Sequence, residues 1–260
     1  GLTKSIRVFP ADTVVSGTLT LCPDITYILA GKMYVQHGGR IVIPAGTVIK
    51  GRKQAGNIPA ALVITKGARI EANGSASCPV IFTSESVSSG GNPQPGDWGG
   101  LVILGKAKTV APTKPATAEG LGTAQNGIDL SYGGTLDHDN SGFLRYVRIQ
   151  YAGARLSAGM QLRSLSLYGL GAGSELDHIE TFKGLGQGFR FYGGNVNAKY
   201  LLAVSNGDDQ LDCKQGYRGR LQYLVNIQQS ANKPVGNIDY DNAVDEFGGF
   251  WLKTAWVRKQ

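Results

Sequence analysis

Leu165-Ser-Leu-Tyr168, Phe189-Arg-Phe-Tyr192 and Leu211-Asp-Cys-Lys214 begin 24 and 22 residues apart and share one pattern, apolar side chains at the first and third positions with a polar one between. Such alternation sends successive side chains to opposite faces of a strand. A second strand family is interleaved with the first. Leu144-Arg-Tyr-Val-Arg-Ile149, Leu176-Asp-His-Ile-Glu-Thr181, Ala198-Lys-Tyr-Leu-Leu-Ala203 and Leu221-Gln-Tyr-Leu-Val-Asn226 start 32, 22 and 23 residues apart. Two families sharing one period of about two dozen residues are the coils of a solenoid. A coil that short cannot bury its own apolar face, so it is stable only when stacked on its neighbours.

Stacking predicts columns. The inward columns are Leu165, Phe189 and Leu211; Leu167, Phe191 and Cys213; and Val147, Ile179, Leu201 and Leu224. Cys213 is then a small buried hydrophobe and not a reactive thiol. The first half repeats more loosely, as Met33-Tyr-Val35 with Arg40-Ile-Val-Ile43 and then Leu62-Val-Ile64 with Arg69-Ile-Glu71, both steps being 29 residues. β-Branched residues fill these runs, while Gly38-Gly39 and Asn73-Gly74 supply the turns between them.

Residues 112–140, rich in Ala, Thr, Gly and Pro, break the period and read as a long excursion. The expected organisation is an N-terminal extension or covering strand over 1–18, the stack over 19–230 with the excursion inside it, and a segment over 231–260. In that last segment Phe247, Phe250, Trp251 and Trp256 no longer match a coil and are suited to capping an open end.

Of 260 residues, 42% are hydrophobic, enough for a sizeable core, and only 17% are charged; 38 glycines and 10 prolines fit a turn-rich all-β chain. The net charge of +7 suits an acidic partner, but the Lys and Arg residues are scattered singly and no nucleic-acid-binding motif accompanies them. Nucleic acid is therefore not an expected partner. Cys22, Cys78 and Cys213 are an odd number without C-x-x-C spacing, which indicates neither a zinc site nor a disulfide framework. No apolar run reaches the length of a transmembrane segment. The chain opens at Gly1 without a signal peptide, which is expected to have been removed from a secreted protein.

Five stretches carry a family resemblance: Ile43-Pro-Ala-Gly-Thr-Val-Ile-Lys-Gly51, Pro79-Val-Ile-Phe-Thr-Ser84, Gly96-Asp-Trp-Gly-Gly-Leu-Val-Ile-Leu-Gly-Lys106, Asp139-Asn-Ser-Gly142 through Tyr151-Ala-Gly153, and Tyr192-Gly-Gly-Asn-Val-Asn-Ala-Lys-Tyr200. Through them the chain resembles a family of secreted proteins and outer-membrane lipoproteins of Bacteroidetes. The resemblance implies a right-handed parallel β-helix, into which the excursion over 112–140 is a long inserted loop, together with export and residence at the cell surface or beyond it. It implies no activity, because that family has no established catalytic residues. Where the family tends to an acidic Asp-Asp turn before its Phe-rich strand, this chain has Gly186-Gln187-Gly188 followed by Arg190. Asp12-Thr13-Val14 resembles a short O-glycosylation signal of exported Bacteroidetes proteins.

Three acids, Asp208, Asp209 and Asp212, form the richest chemical constellation. Carboxylates clustered at a turn suit Ca²⁺, the sole cofactor candidate, or the acid and base of a glycosidase. The stretch Gly207-Asp-Asp-Gln-Leu-Asp-Cys-Lys-Gln-Gly216 resembles part of the polygalacturonase-type β-helical hydrolases, but their Gly-His-Gly and Arg-Ile-Lys motifs are missing. The plainer reading is a hydrogen-bonding turn with Asp212 paired to Arg190 one coil away. Alternation also sets Arg190 and Asp212 on the outer face of neighbouring strands as a cross-coil ion pair, which, if exposed, is worth about 0–1 kcal/mol.

Tyr146, His178, Tyr200 and Tyr223 share one outward column. An exposed aromatic ladder offers apolar faces on which sugar rings can stack; the plainer reading is that it stabilises the sheet or lies under the excursion. His37 and His138 lack partners at ligand spacing, and Gly169-Leu-Gly-Ala-Gly173 opens no helix, so neither a metal nor a dinucleotide site is expected there. The reading is a non-catalytic extracellular or cell-surface protein. It acts in adhesion or carbohydrate binding to a polysaccharide or cell-surface glycan, or in head-to-tail self-association into an extracellular filament. A polysaccharide lyase or glycoside hydrolase of the parallel β-helix type is the alternative, by analogy of fold.

Overall fold

The computed structural model describes residues 4–53, 59–88, 90–110, 116–121, 127–158, 160–228, 238–239 and 251–256. Two parallel sheets carry the architecture. One has eight strands, in spatial order Thr13–Val15, Lys32–Val35, Ala61–Ile64, Gly100–Leu104, Leu165–Tyr168, Phe189–Tyr192, Leu211–Lys214 and Ile238–Asp239. The other has twelve strands and is bent into two wings along a corner. Its leading wing begins with Thr18–Thr20, Arg40–Pro44 and Arg69–Asn73, its trailing wing with Ser5–Phe9, Ile25–Leu29, Val48–Gly51 and Val80–Ser84. Gly142–Gln150, Glu175–Phe182, Asn197–Val204 and Arg220–Ile227 then cross both wings in turn. The chain visits leading wing, trailing wing and eight-stranded sheet once per coil, the arrangement of a right-handed parallel β-helix. Among the described residues the one helical element is a 3-10 turn at Glu85–Ser88.

Register follows the sequence columns. Leu165 pairs with Phe189 and Phe189 with Leu211; Leu167, Phe191 and Cys213 stand in the next inward column. Val147, Ile179, Leu201 and Leu224 line up across the trailing wing. All ten side chains are buried in one continuous core. The looser 29-residue step also holds, Met33 pairing with Leu62 and Arg40 with Arg69. Because a one-residue slip would turn every inward side chain outward, and each buried Leu or Phe stabilises by about 1.5–3 kcal/mol, this register is strongly specified.

The corner between the wings changes character along the stack. In the early coils it is a loop, residues 21–24, 45–47 and 74–79. Later it shrinks to single residues, Tyr146, His178, Tyr200 and Tyr223, with φ of 49°, 53°, 56° and 57°. One left-handed residue redirects the strand without breaking it, at a cost of about 1–2 kcal/mol for an L side chain. Tyr151, Lys183 and Ser205 repeat the device at the second corner, and Gly169, Gly193 and Gln215 at the third.

Residues before 19 add strands to the stack: Ser5–Phe9 pairs in parallel with Ile25–Leu29, and Thr13–Val15 with Lys32–Val35. At the other end Ile238–Asp239 and Trp251–Trp256 each add one more parallel strand. Phe247 and Phe250 lie outside the described residues. The excursion leaves after Leu104 and returns at Gly142, and its described part folds back over the outer face of the eight-stranded sheet. There Ala116–Thr117 pairs antiparallel with Ser131–Tyr132, and Ala118, Leu121 and Leu130 pack on Val63, Val102 and Leu104 in a second core.

Candidate functional site

The aromatic ladder stands at the corner between the wings, away from the excursion. Its rings stack from Tyr146 to His178 at 4.3 Å, to Tyr200 at 4.4 Å and to Tyr223 at 4.7 Å, with interplanar angles of 17°, 22° and 12°. The coil repeat sets that spacing. Each inner ring therefore covers its neighbours' faces and offers solvent its edge, so the expectation of a row of open faces is corrected. Exposure is greatest at the far end, 41% for Tyr200 and 51% for Tyr223. A groove of about 180 Å³ runs beside the ladder between Pro79, Arg148, Glu180 and Leu202.

Ion pairs flank the rings. Arg145 Nε donates to Glu175 Oε1 at 2.7 Å, Arg148 lies 3.2 Å from Glu180, and Lys199 lies 3.1 Å from Asp177, which also meets His178 Nδ1. Arg145 holds the Glu175 carboxyl below its ordinary value, and Asp177 raises Lys199.

The acidic turn is built differently from a cation site. Asp208 accepts from the Gln187 side-chain amide at 2.9 Å and from its neighbour's backbone, Asp209 N, at 3.0 Å. The Asp209 carbonyl accepts from Gly188 N. Asp212 lies on a strand, in register with Arg190, and its side chain is 1% exposed. The structure does not bring the three together as ligands; among the described residues no group of three or more His, Cys, Asp or Glu is placed to hold a metal ion. Gln187 and Arg190 fill the space instead, the Gln187 amide bridging Asp208 and the guanidinium of Arg163.

The Arg190–Asp212 pair forms as alternation requires, at 3.0 Å, but it is buried and not exposed. The physical reason is the excursion. Glu119, carried by it, reaches Arg190 Nη1 at 3.1 Å and Arg163 Nη1 at 3.6 Å, and Tyr132 donates its hydroxyl to Gln215 at 2.8 Å. Arg190 also lies over the Tyr192 ring at 4.1 Å. Burial pulls Arg190 below its ordinary value against the upward pull of Asp212 and Glu119, and it pushes the Tyr168 hydroxyl up. Glu119 and Arg163 were invisible to sequence reasoning, because 71 residues separate Glu119 from Arg190 and no local pattern joins them.

The Gly-Asp-Trp-Gly-Gly block is structural. Trp98 is fully buried, stacks on Phe82 and donates Nε1–H to the Gln150 carbonyl at 2.8 Å. Burial raises the Asp97 carboxyl, but the Gln94 N–H, the Ser84 hydroxyl and Lys53 outweigh it and hold the group below its ordinary value. Gly100 takes φ 111°, and a Cβ there would meet the Arg163 carbonyl at 2.2 Å.

Parallel coils, an inward apolar column on every wall and corners turned by single left-handed residues define a parallel β-helix protein. The chain belongs to the pectate-lyase-like β-helix domain family, whose model matches residues 13–256. No curated protein and no solved structure matches it. Among the described residues no helix is long and apolar enough to cross a membrane.

Proposed function

We propose that this β-helix is a non-catalytic extracellular or cell-surface module that binds a glycan-bearing surface through the ladder Tyr146, His178, Tyr200 and Tyr223. The observation that carries the reading is the exposed end of that ladder, two large aromatic rings, Tyr200 and Tyr223, stacked on one another and about half exposed. Partly exposed aromatic side chains with a polar tip are the groups that most often anchor recognition. Export and surface attachment in the manner of the Bacteroidetes proteins belong to the same proposal.

The family's lyase-like description favours a second reading, cleavage of a polysaccharide by the acids after Gly207. Against it stands the engagement of Asp212 by Arg190 and of Asp208 by Gln187, which leaves no open acid–base pair at this turn. One experiment separates the two. The protein is run through gels containing soluble polysaccharides and, in parallel, incubated with them for release of reducing or unsaturated ends. Binding weakened by Tyr200→Ala with Tyr223→Ala, and no release of ends, supports the module. Release of ends that Asp209→Asn abolishes overturns it.

A further inference from the structure

The outer faces of the stack differ in what they present. The excursion covers the eight-stranded sheet, and the leading wing carries charges paired from coil to coil, among them Arg40 with Glu71, Arg145 with Glu175 and Lys199 with Asp177. The trailing wing is largely apolar on its outside. Register sets Val48, Ile81, Arg148, Glu180, Leu202 and Val225 in one outward column. Val48, Ile81, Leu202 and Val225 are half-buried, while their chain neighbours Ile49, Phe82, Leu201 and Leu224 point into the core. A second outward column, two residues along each strand, holds Ile28, Lys50 and Thr83 in the early coils and Gln150, Phe182, Val204 and Ile227 in the later ones. Ile6 and Val8, 66% and 43% exposed, continue both columns into the first coil.

Three charges stand in the two columns. Arg148 and Glu180 lie 3.2 Å apart, and Lys50 feels the Glu85 carboxylate. At the far rim Arg52 holds Glu85 at 2.7 Å and Lys183 lies over the Phe182 ring at 5.2 Å. A contiguous apolar patch of several hundred Å² on a folded protein marks a surface that meets a partner.

The order of residues in the first column says which partner. An interface between two copies about a twofold axis must be self-complementary, residue i meeting j while j meets i. Along the stack this column reads apolar, apolar, positive, negative, apolar, apolar, and its centre falls between Arg148 and Glu180. A second copy turned end over end about that centre sets Arg148 opposite its Glu180, Ile81 opposite its Leu202 and Val48 opposite its Val225. The four charges then alternate in sign around the axis. Packed the other way, each coil facing its own equivalent, Arg148 would meet Arg148 at a cost of like charges. Six strands about 4.8 Å apart and about five residues wide offer roughly 500 Å² per copy, so roughly 1,000 Å² in all, the least a specific interface needs.

We propose that the outer face of the trailing wing is a self-association surface, on which two copies of this chain pack antiparallel about a twofold axis between Arg148 and Glu180. The contact is side by side and not end to end. It keeps the same edge of both wings together, so the two aromatic ladders come to one rim of the interface.

The test is analytical ultracentrifugation of the intact chain from about 1 to 200 µM, the range that brackets a minimal interface. A monomer–dimer equilibrium is expected. Arg148→Glu should weaken the dimer at least about tenfold by setting like charges opposite each other, and adding Glu180→Arg should restore it, because the reversed column is equally self-complementary. Ile81→Asp, at an outward position, should weaken it as well; circular dichroism checks that each variant folds. Orientation is read in a chain carrying Cys22→Ser and Cys78→Ser, with a short bismaleimide, since facing sheets lie about 10 Å apart. It should join Ile81→Cys chains to Leu202→Cys chains in a mixture and neither kind to itself. Monomers over the whole range overturn the inference. So does a dimer that Arg148→Glu and Ile81→Asp leave intact, or one in which Ile81→Cys chains join each other.

Discussion

Replacing Arg190 with alanine removes a guanidinium that holds two carboxylates, Asp212 at 3.0 Å and Glu119 at 3.1 Å, and lies over the Tyr192 ring at 4.1 Å. With Asp212 1% exposed, its carboxylate is left in a low-dielectric environment, with the Lys214 ammonium 3.8 Å away. Breaking a buried pair from one side typically costs about 3–5 kcal/mol, against the 0–1 kcal/mol of an exposed pair. For a chain of this size that is a fall of roughly 10 °C in Tm. Thermal and urea unfolding followed by circular dichroism measure it. The double variant Arg190→Met with Asp212→Leu should recover most of the loss, because it removes both charges and fills the space. A loss below about 1 kcal/mol for Arg190→Ala would refute the argument, and with it the claim that the excursion seals this face.

Asn206 is buried in the second corner, where Oδ1 accepts from Gly184 N at 3.0 Å and Nδ2 donates to Thr181 Oγ1 at 3.2 Å and Gln210 Oε1 at 2.8 Å. Asn206→Ala should therefore destabilise by about 1–3 kcal/mol in urea unfolding, more than the exposed Asn197→Ala. Millimolar Ca²⁺ or EDTA is expected to leave Tm unchanged, since Arg190 and Gln187 occupy the partners a cation would need; a calcium-dependent rise abolished by Asp208→Asn would reinstate the metal reading. Acid should destabilise the fold. Asp137, held down by Arg218, and Glu175, held down by Arg145, have folded values below their ordinary 3.8 and 4.5. Their contribution is present above those ordinary values and is lost as pH falls through the folded ones, so a pH series from about 6 to 2 should show falling stability that Asp137→Asn makes shallower.

How much of this was legible beforehand differs from residue to residue. The inward columns were, because strand alternation has a period of two and the coil a period near two dozen, and both are written along the chain. Phe189 falls between Leu165 and Leu211 for that reason, and His178 between Tyr146 and Tyr200. That the ladder residues are themselves the corner was not legible: Leu144-Arg-Tyr-Val-Arg-Ile149 reads as an unbroken strand, and only the packing of two wings on one core drives Tyr146 to positive φ.

Sequence alone determined the parallel stack, its register and the pairing of Arg190 with Asp212, since these depend on spacing along the chain. Tertiary structure decided what covers each outer face. It laid Glu119 and Tyr132 over the Arg190 column and left the Tyr200 and Tyr223 rings exposed at their corner. Burial depends on the whole path of the chain, and the excursion's return onto one sheet and not another is a long-range packing choice, rewarded by the second core around Val102 and Leu104.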